Sequence, residues 1–189
     1  MKPGPWSKSP IFWLILAFII IIPLVYYALG GFEPLRVEVV EVEGYSIIGR
    51  EFQGTYHSDT LKQYFNEMKS YLQEGKFQGC IAVIYYQEPQ GARGYVDSFV
   101  GMKLDNSFSE EAGENISQQE LAGLIVSSRP VRVIRVSKDS HSSMMPNPEK
   151  IQERIHAEAA RLNVAIRPFN IELYYPDNRL VVEAIIEDS

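Results

Sequence analysis

The sequence predicts an α+β domain made of duplicated βαββ halves, with an antiparallel sheet, two helices and a central cleft, preceded by one N-terminal transmembrane helix. Three observations predict this fold. The N-terminal region contains a long apolar run without charge, strand and helix patterns occur twice in the same order, and the two halves share a short similar stretch. The 189 residues suffice for one domain with an appendage.

The appendage is the stretch IFWLILAFIIIIPLVYYALGG, residues 11–31. At about 1.5 Å of rise per residue it spans the hydrocarbon core of a bilayer, which is about 30 Å thick. Trp13 near one end and Tyr26 and Tyr27 near the other are typical of interfacial aromatic residues. A cleaved signal peptide is the alternative, but the run is long for one and residues 28–30 form a weak cleavage site. The sequence therefore favours an uncleaved anchor that contacts the lipid bilayer.

The charges beside this run predict its orientation. Lys2 and Lys8 precede it, whereas four glutamates and one arginine occur in residues 33–43. The positive-inside rule then places residues 1–10 in the cytoplasm and residues 32–189 on the other side. We expect a single-pass membrane protein with an extracytoplasmic domain.

The first half of this domain starts with alternating residues. Residues 37–54 predict one strand, or two strands with a kink at Gly44 or Gly49. Ser58 or Asp59 can cap the following helix. CIAVIYY and YVDSFVGMKL then predict two further strands. The helix has one apolar stripe, formed by Leu61, Tyr64, Phe65, Met68 and Leu72.

The second half repeats this order after residues 105–118, which are acidic and Ser-rich and predict a flexible loop. VRVIRV predicts a strand, and Asn147 and Pro148 predict the N-cap and first residue of a helix. FNIELYY and LVVEAII predict two strands that the turn PDN joins. The helix stripe consists of Ile151, Ile155, Ala159 and Leu162.

The two halves also share a short sequence pattern. AVIYYQEP at 82–89 parallels IELYYPDN at 171–178, and aligning the two Tyr-Tyr pairs sets Val83 against Glu172. One half thus has an apolar residue where the other has a carboxylate. The fold does not require a charge at this position, which leaves Glu172 free for a functional role.

Composition and motifs exclude several functions. The net charge of −6 argues against a nucleic-acid partner, which would need a basic face. Cys80 is the only cysteine, so neither an internal disulfide nor a cysteine-based metal site is expected. His57, His141 and His156 lack the spacing of metal ligands, and nothing marks a haem ligand or another cofactor site. No phosphate loop or nucleophile elbow occurs, so no catalytic residue is assigned and binding is favoured over catalysis.

Three stretches carry a resemblance to a known family: REFQGTY, CIAVIYYQEP and IELYYPDNRLVVEAII. With the element order, they resemble the GyrI-like superfamily, the gyrase-inhibitor or effector-binding domains that are related to SOUL haem-binding proteins. The resemblance covers residues 37–187. Within the family the likeness is to a single-pass, membrane-anchored variant, a reticulophagy receptor with a long tail and an autophagy motif. This sequence has no such tail, so the receptor role is not expected.

The resemblance implies a cleft between the halves, in which drug-binding members of the family hold aromatic cations. A glutamate in an E-x-Y motif of the last strands serves there as counter-charge, and Glu172 and Tyr174 match this motif. Alternation along the strand places both side chains on one face. Two departures are VSKDSHSSM in place of a Gly-Pro-Tyr-like turn and the lack of tryptophan in the domain.

Four residues are the candidate ligand-binding residues. The carboxylate of Glu172 would lie in a pocket that raises its pKa, and Tyr174 or Tyr85 would donate a hydrogen bond to it. Alternatively, it lies on a solvated face or pairs with Arg167 or Arg179. Core packing is an equally good role for the tyrosines. The candidates are Glu172, Tyr174, Tyr85 and Tyr56.

The sequence therefore predicts a membrane-tethered domain that binds a small hydrophobic molecule. Hydrophobic cations are among the candidate ligands. Two alternatives remain. Glu172 and Tyr174 could act as an acid/base pair in a hydrolase of small electrophiles. The cleft could instead bind a peptide of a protein partner, which the sequence does not identify.

Overall fold

The computed structural model describes residues 9–55, 57–75, 78–86, 94–104, 121–138, 142–177 and 179–187. The predicted loop at 105–118 and the candidate Tyr56 lie outside these residues. The helices are α1 (Pro10–Ala28), α2 (Asp59–Gln73) and α3 (Pro148–Leu162), and a 3-10 turn covers Ser142–Met144. The strands are β1 (Arg36–Val42), β2 (Ser46–Thr55), β3 (Gly79–Tyr85), β4 (Tyr95–Leu104), β5 (Ala122–Ile125), β6 (Val131–Ser137), β7 (Ile166–Tyr174) and β8 (Leu180–Ile186).

The predicted α+β class is confirmed. The strands form one antiparallel sheet in the order β1-β6-β8-β7-β3-β4-β2-β5. Each βαββ half contributes three neighbouring strands, and the halves meet where β3 pairs with β7. β1 and β5 extend the two edges of the sheet. β5 has no counterpart in the sequence prediction, because four residues are too few to show a clear alternation.

The junction between the halves contains a local two-fold axis. Val83 pairs directly with Glu172 across β3 and β7. These are the two residues that the alignment of the Tyr-Tyr pairs sets against each other. Residues that are equivalent in sequence and also paired in space must lie beside the axis that relates the halves. Glu172 therefore occupies the centre of the duplicated fold.

Both domain helices begin at the predicted caps. Ser58 accepts a hydrogen bond from the amide of Leu61, and Asn147 accepts one from the amide of Lys150. The buried stripe of α2 packs on β2, β3 and β4, and that of α3 packs on β6 and β8. Both helices thus cover the same face of the sheet, one over each half.

The opposite face of the sheet is also buried, because the sheet curls around it. Tyr45, just before β2, donates a hydrogen bond to Glu183 in β8. Four strand spacings separate β2 from β8, which is about 19 Å in a flat sheet and far beyond the reach of a tyrosine. Curvature therefore closes this face over an apolar cluster that includes Ile47, Phe99 and Leu173. We call it the concave face.

The break between β1 and β2 falls at the first of the two predicted glycines. A Cβ atom on Gly44 would lie 1.9 Å from the carbonyl oxygen of Ser127, so only glycine permits this close approach. The break allows β1 and β2 to lie at distant positions in the sheet, where β1 pairs with β6 and β2 pairs with β4 and β5.

α1 is the one helix among the described residues that is long and apolar enough to cross a membrane. None of its residues is buried against the domain. The helix covers most of the predicted span of residues 11–31, whose last three residues form a turn. A signal sequence near an N-terminus has the same length and composition. The orientation of the domain relative to a membrane therefore stays a prediction.

Candidate functional site

The site begins with the position of Glu172 on β7. The strand alternation places Glu172 and Tyr174 on the helix-covered face, whereas Ile171 and Leu173 belong to the apolar cluster of the concave face. β7 lies between the strand groups under α2 and α3, and the side chain of Glu172 remains half-buried there. Glu172 thus lies between the two helices, next to the two-fold axis, and part of the residue remains exposed.

The surroundings of Glu172 disfavour its charge. Its neighbours across the strands are Val83 and Val182, and burial raises the pKa of the carboxyl group above its ordinary value. The hydroxyl of Tyr174 donates a hydrogen bond of 2.6 Å to Oε2, which stabilises the carboxylate and offsets part of this rise. The ring of Tyr174 is held edge-on to Phe65 of α2, with centroids 5.0 Å apart.

The proposed structural partners of Glu172 are engaged elsewhere. Arg179 lies 3.8 Å from Asp177 and stacks over the ring of Tyr175. Arg167 stacks over Phe169. Among the described residues no lysine or arginine forms an ion pair with Glu172, and no cation contributes to the shift of its pKa. The structure therefore does not support a structural salt bridge at this position.

The predicted tyrosines differ in their positions. Tyr174 contacts Glu172 directly. Tyr85 lies on the same face of the sheet, opposite Asn170, but is buried in the cluster under α2. This places Tyr85 in the core of the first half, and the structure brings only Tyr174 to the carboxylate within the described residues.

A groove of about 460 Å³ lies next to Tyr174, whose ring forms part of its lining. Its apolar wall is formed by Phe65, Leu72 and Ile81 together with the tyrosine ring, and Lys69 and Arg179 add two cations. The volume is within the range of small-molecule sites. Sequence reasoning did not find Lys69, because an exposed lysine on an amphipathic helix carries no pattern of its own. We call this depression the Tyr174 groove.

The sequence prediction did not include a second carboxylate inside the domain, that of Glu183. Glu183 is 1% exposed on the concave face. It accepts hydrogen bonds from Tyr45 and, at 2.6 Å, from Nε of Arg135, which also approaches Glu38 at 3.9 Å. Burial and the nearby carboxylate raise the pKa of Tyr45 far above its ordinary value. The signal was present in VVEAII, where a charge interrupts an apolar strand as it does in IELY.

The chemistry available differs between the two carboxylates. Glu183 is enclosed and fully paired, so it has no capacity left for a ligand. Glu172 is half-buried and accepts one side-chain hydrogen bond from the described residues, so its carboxylate retains unused acceptor capacity. The described residues contain no group of three or more His, Cys, Asp or Glu side chains that could hold a metal ion.

Comparison with known proteins identifies the fold but no family. No protein-family model and no curated protein matches the chain. Among solved structures, the chain is similar to EcmrR in its complex with DNA (TM-score 0.54, 8% identity, covering 93% of this chain and 65% of that one). It is also similar to a hydrolase from Listeria innocua (TM-score 0.51, 8% identity, 80% and 92% covered). A weaker likeness is to SAV2435 bound to tetraphenylphosphonium (TM-score 0.46, 11% identity, 80% and 94% covered).

Proposed function

We propose that the chain is a membrane-tethered, GyrI-like domain that binds a small, largely apolar and preferably cationic ligand beside Glu172. The observation that supports this proposal is a half-buried carboxylate between the two helices, with a phenol as hydrogen-bond donor and no cationic partner among the described residues. The similarity to EcmrR concerns the fold alone.

A hydrophobic cation suits this site for an electrostatic reason. The carboxylate is already partly desolvated in the free protein, as the raised pKa indicates. A bound cation would add the attraction of the missing counter-charge without a further large desolvation cost to the protein. The ring of Tyr174, which is only half-buried, would contact the apolar part of the ligand.

The test compares two ions of equal shape and opposite charge. Tetraphenylphosphonium should raise the melting temperature of the full chain in detergent micelles, and Glu172→Gln should reduce this rise but not a rise caused by tetraphenylborate. At 100 times the dissociation constant the gain in stability is about 2.7 kcal/mol. Glu172→Gln should weaken binding of the cation by about 1.5–3 kcal/mol, the contribution of a hydrogen bond to a charged group.

Glu153→Gln is the matched control, because Glu153 is exposed on the surface of α3. It should leave binding of the cation unchanged. An equal effect of Glu172→Gln on the responses to the two ions, or an equal loss in both variants, would contradict a specific role of Glu172.

Hydrolysis of small electrophiles is the second candidate function. The observation in its favour is the Glu172–Tyr174 pair at 2.6 Å, in which a carboxyl group of raised pKa adjoins a hydroxyl. With a panel of aryl esters and epoxides, Glu172→Gln should then abolish turnover and leave the affinity for the substrate nearly unchanged. Lack of turnover by the unmodified chain across the panel would leave only the binding function.

The membrane tether is part of the same proposal. α1 has the length of a spanning helix and no charge, and residues 33–43 beyond it are acidic. N-terminal sequencing of the mature protein should still find the residues of α1, and impermeant labels should reach the domain from outside sealed cells. A mature chain that starts after residue 28 would show that α1 is a signal sequence.

A further inference from the structure

The connection between α1 and the domain is a structured turn. Gly30 adopts a positive φ of 71°, and the rings of Tyr26 and Phe32 pack edge-on with centroids 4.8 Å apart. Lys138, only 6% exposed, donates hydrogen bonds to the carbonyl oxygens of Gly31 at 3.2 Å and Met144 at 3.0 Å. These contacts fasten the end of α1 to the domain beside the start of β1.

The strand register shows which other residues lie at this end of the sheet. The first residue of β1 pairs with Ser137, the last of β6, and Ser137 pairs with Val181 near the start of β8. Tyr174, the last residue of β7, pairs with the first residue of β8 and with Ile81 of β3. The antiparallel ladders therefore place Tyr174 and Ile81 at the end of the sheet to which α1 is attached.

The Tyr174 groove opens at this same end. Tyr174 and Ile81 line it, and so does Leu72 in the last turn of α2. If α1 spans a membrane, this end of the sheet is the one nearest to the lipid. An apolar depression in such a position is within reach of a lipid that leaves the bilayer surface.

Two cations border the groove. Lys69 is exposed on α2, and the guanidinium of Arg179 lies 4.5 Å from the ring centroid of Tyr175, which fixes its plane. Among the described residues Arg179 forms an ion pair with Asp177, at 3.8 Å, and that carboxylate is itself exposed. The C-terminal end of α2 adds partial negative charge, so the two cations must supply the attraction for an anion.

We propose that the Tyr174 groove binds an anionic phospholipid of the membrane in which α1 is anchored. The acyl chain lies against Phe65, Leu72 and Ile81, and Lys69 and Arg179 bind the phosphate. This inference goes beyond the ligand of Glu172 and rests on one part of the proposed function, the retention of α1 in the membrane. Tyr174 touches both sites, since its ring lines the groove and its hydroxyl contacts Glu172.

The test uses two photoreactive phospholipids that carry the same labelled acyl chain, one with a phosphatidic acid head and one with a phosphatidylcholine head. The full chain is reconstituted into vesicles that contain one of them, and the labelled peptides are mapped by mass spectrometry. Every membrane lipid touches α1, so labelling of α1 is the internal reference. The phosphatidic acid probe should label peptides around Leu72 and Ile81 relative to α1 far more than the phosphatidylcholine probe does.

Removing the charge of Lys69 or Arg179 tests whether these two side chains bind the phosphate. Lys69→Gln and Arg179→Gln should each reduce groove labelling about fivefold, because a basic side chain near an anionic membrane surface contributes about 1 kcal/mol. Lys62→Gln and Arg154→Gln, exposed on the first turn of α2 and on α3, are the matched controls and should have no effect. Melting temperatures of all four variants show whether they remain folded.

The source of the lipid is tested separately. When the phosphatidic acid probe is supplied in a second population of vesicles without protein, groove labelling should fall to background. Equal labelling of the groove by the phosphatidic acid and phosphatidylcholine probes would overturn the lipid site. So would labelling of α1 without labelling of the groove, and neither outcome would contradict the membrane anchor. A chain that is released from the vesicles by alkaline washing, with α1 unlabelled, would instead overturn the anchor in the proposed function.

Discussion

Glu172 and Glu183 lie on neighbouring strands but on opposite faces of the sheet. Each interrupts an apolar strand, and each accepts a hydrogen bond from a tyrosine hydroxyl. Only Glu183 also receives an arginine, and it is 1% exposed, whereas Glu172 is half-buried. The counter-charge makes the difference, because a buried carboxylate with a cation is a structural element and one without a cation can accept a ligand.

The concave face needs its arginine because the sheet closes over the carboxylate. The curl that brings Tyr45 to β8 also removes water from Glu183, so the cost of desolvation must be offset inside the protein. On the other face the two helices leave β7 partly uncovered. There Glu172 stays partly exposed, and among the described residues it has a tyrosine hydroxyl as partner and no cation.

The largest effect is expected from Arg135→Leu. It leaves the buried Glu183 without a cation, so the free energy of unfolding should fall by about 3–5 kcal/mol. Urea denaturation of the full chain in micelles measures this. Arg132→Leu, at an exposed position near the start of the same strand, is the control and should change little.

The double variant Arg135→Leu with Glu183→Leu should recover most of the loss, since it removes both charges. Should Arg135→Leu behave like its control, the pair on the concave face would have no structural role and the comparison would lose its basis.

Replacement of the two carboxylates should have opposite effects on stability. Glu183→Leu leaves the partly buried guanidinium of Arg135 without its carboxylate partner and should be strongly destabilising. Glu172→Leu removes a carboxylate that has no cation among the described residues, so stability should stay within about 1 kcal/mol or increase. Thermal melting at neutral pH compares the two, and a large loss in Glu172→Leu would reveal a structural role for this residue.

A smaller effect is expected from the two phenols. Tyr174→Phe and Tyr45→Phe each remove one hydrogen bond to a carboxylate and should cost about 1–2 kcal/mol. In a Glu172→Leu background the cost of Tyr174→Phe should disappear, whereas Tyr45→Phe should cost the same as before. Any cost of Tyr174→Phe that persists in this background belongs to another interaction of the hydroxyl and not to its hydrogen bond with Glu172.

The smallest signal is the pH dependence that Glu172 contributes. Its pKa in the folded state is raised above the unfolded value of about 4.3, so the folded state binds more protons between these two pKa values. Stability should therefore fall as the pH rises through this window, and Glu172→Gln should remove that fall. Melting temperatures of both proteins from about pH 4 to about pH 7 test this, and an opposite slope would mean that the carboxylate is stabilised by folding.

The repetition of elements was sufficient to predict the halves of the fold. Ser58 and Asn147 cap their helices as the sequence indicates, and the alternation in IELYY places Glu172 and Tyr174 on one face. The similarity of the Tyr-Tyr stretches aligned Val83 with Glu172, and the structure pairs these two residues beside the two-fold axis. These features depend on residues close in sequence, whose spacing follows directly from helix and strand geometry. The ligand roles of Glu172, Tyr174, Tyr85 and Tyr56 stay predictions.

The sequence by itself determined the elements other than the short edge strand β5, where the helices begin and which side chains share a face, because each of these follows from local periodicity. Only the tertiary structure decided that the sheet curls, that Arg135 neutralises Glu183 and not Glu172, and that Lys69 and Arg179 border one groove. Each of these contacts joins residues that lie far apart along the chain. Their meeting depends on strand order and curvature, which the alternation of a single strand does not encode.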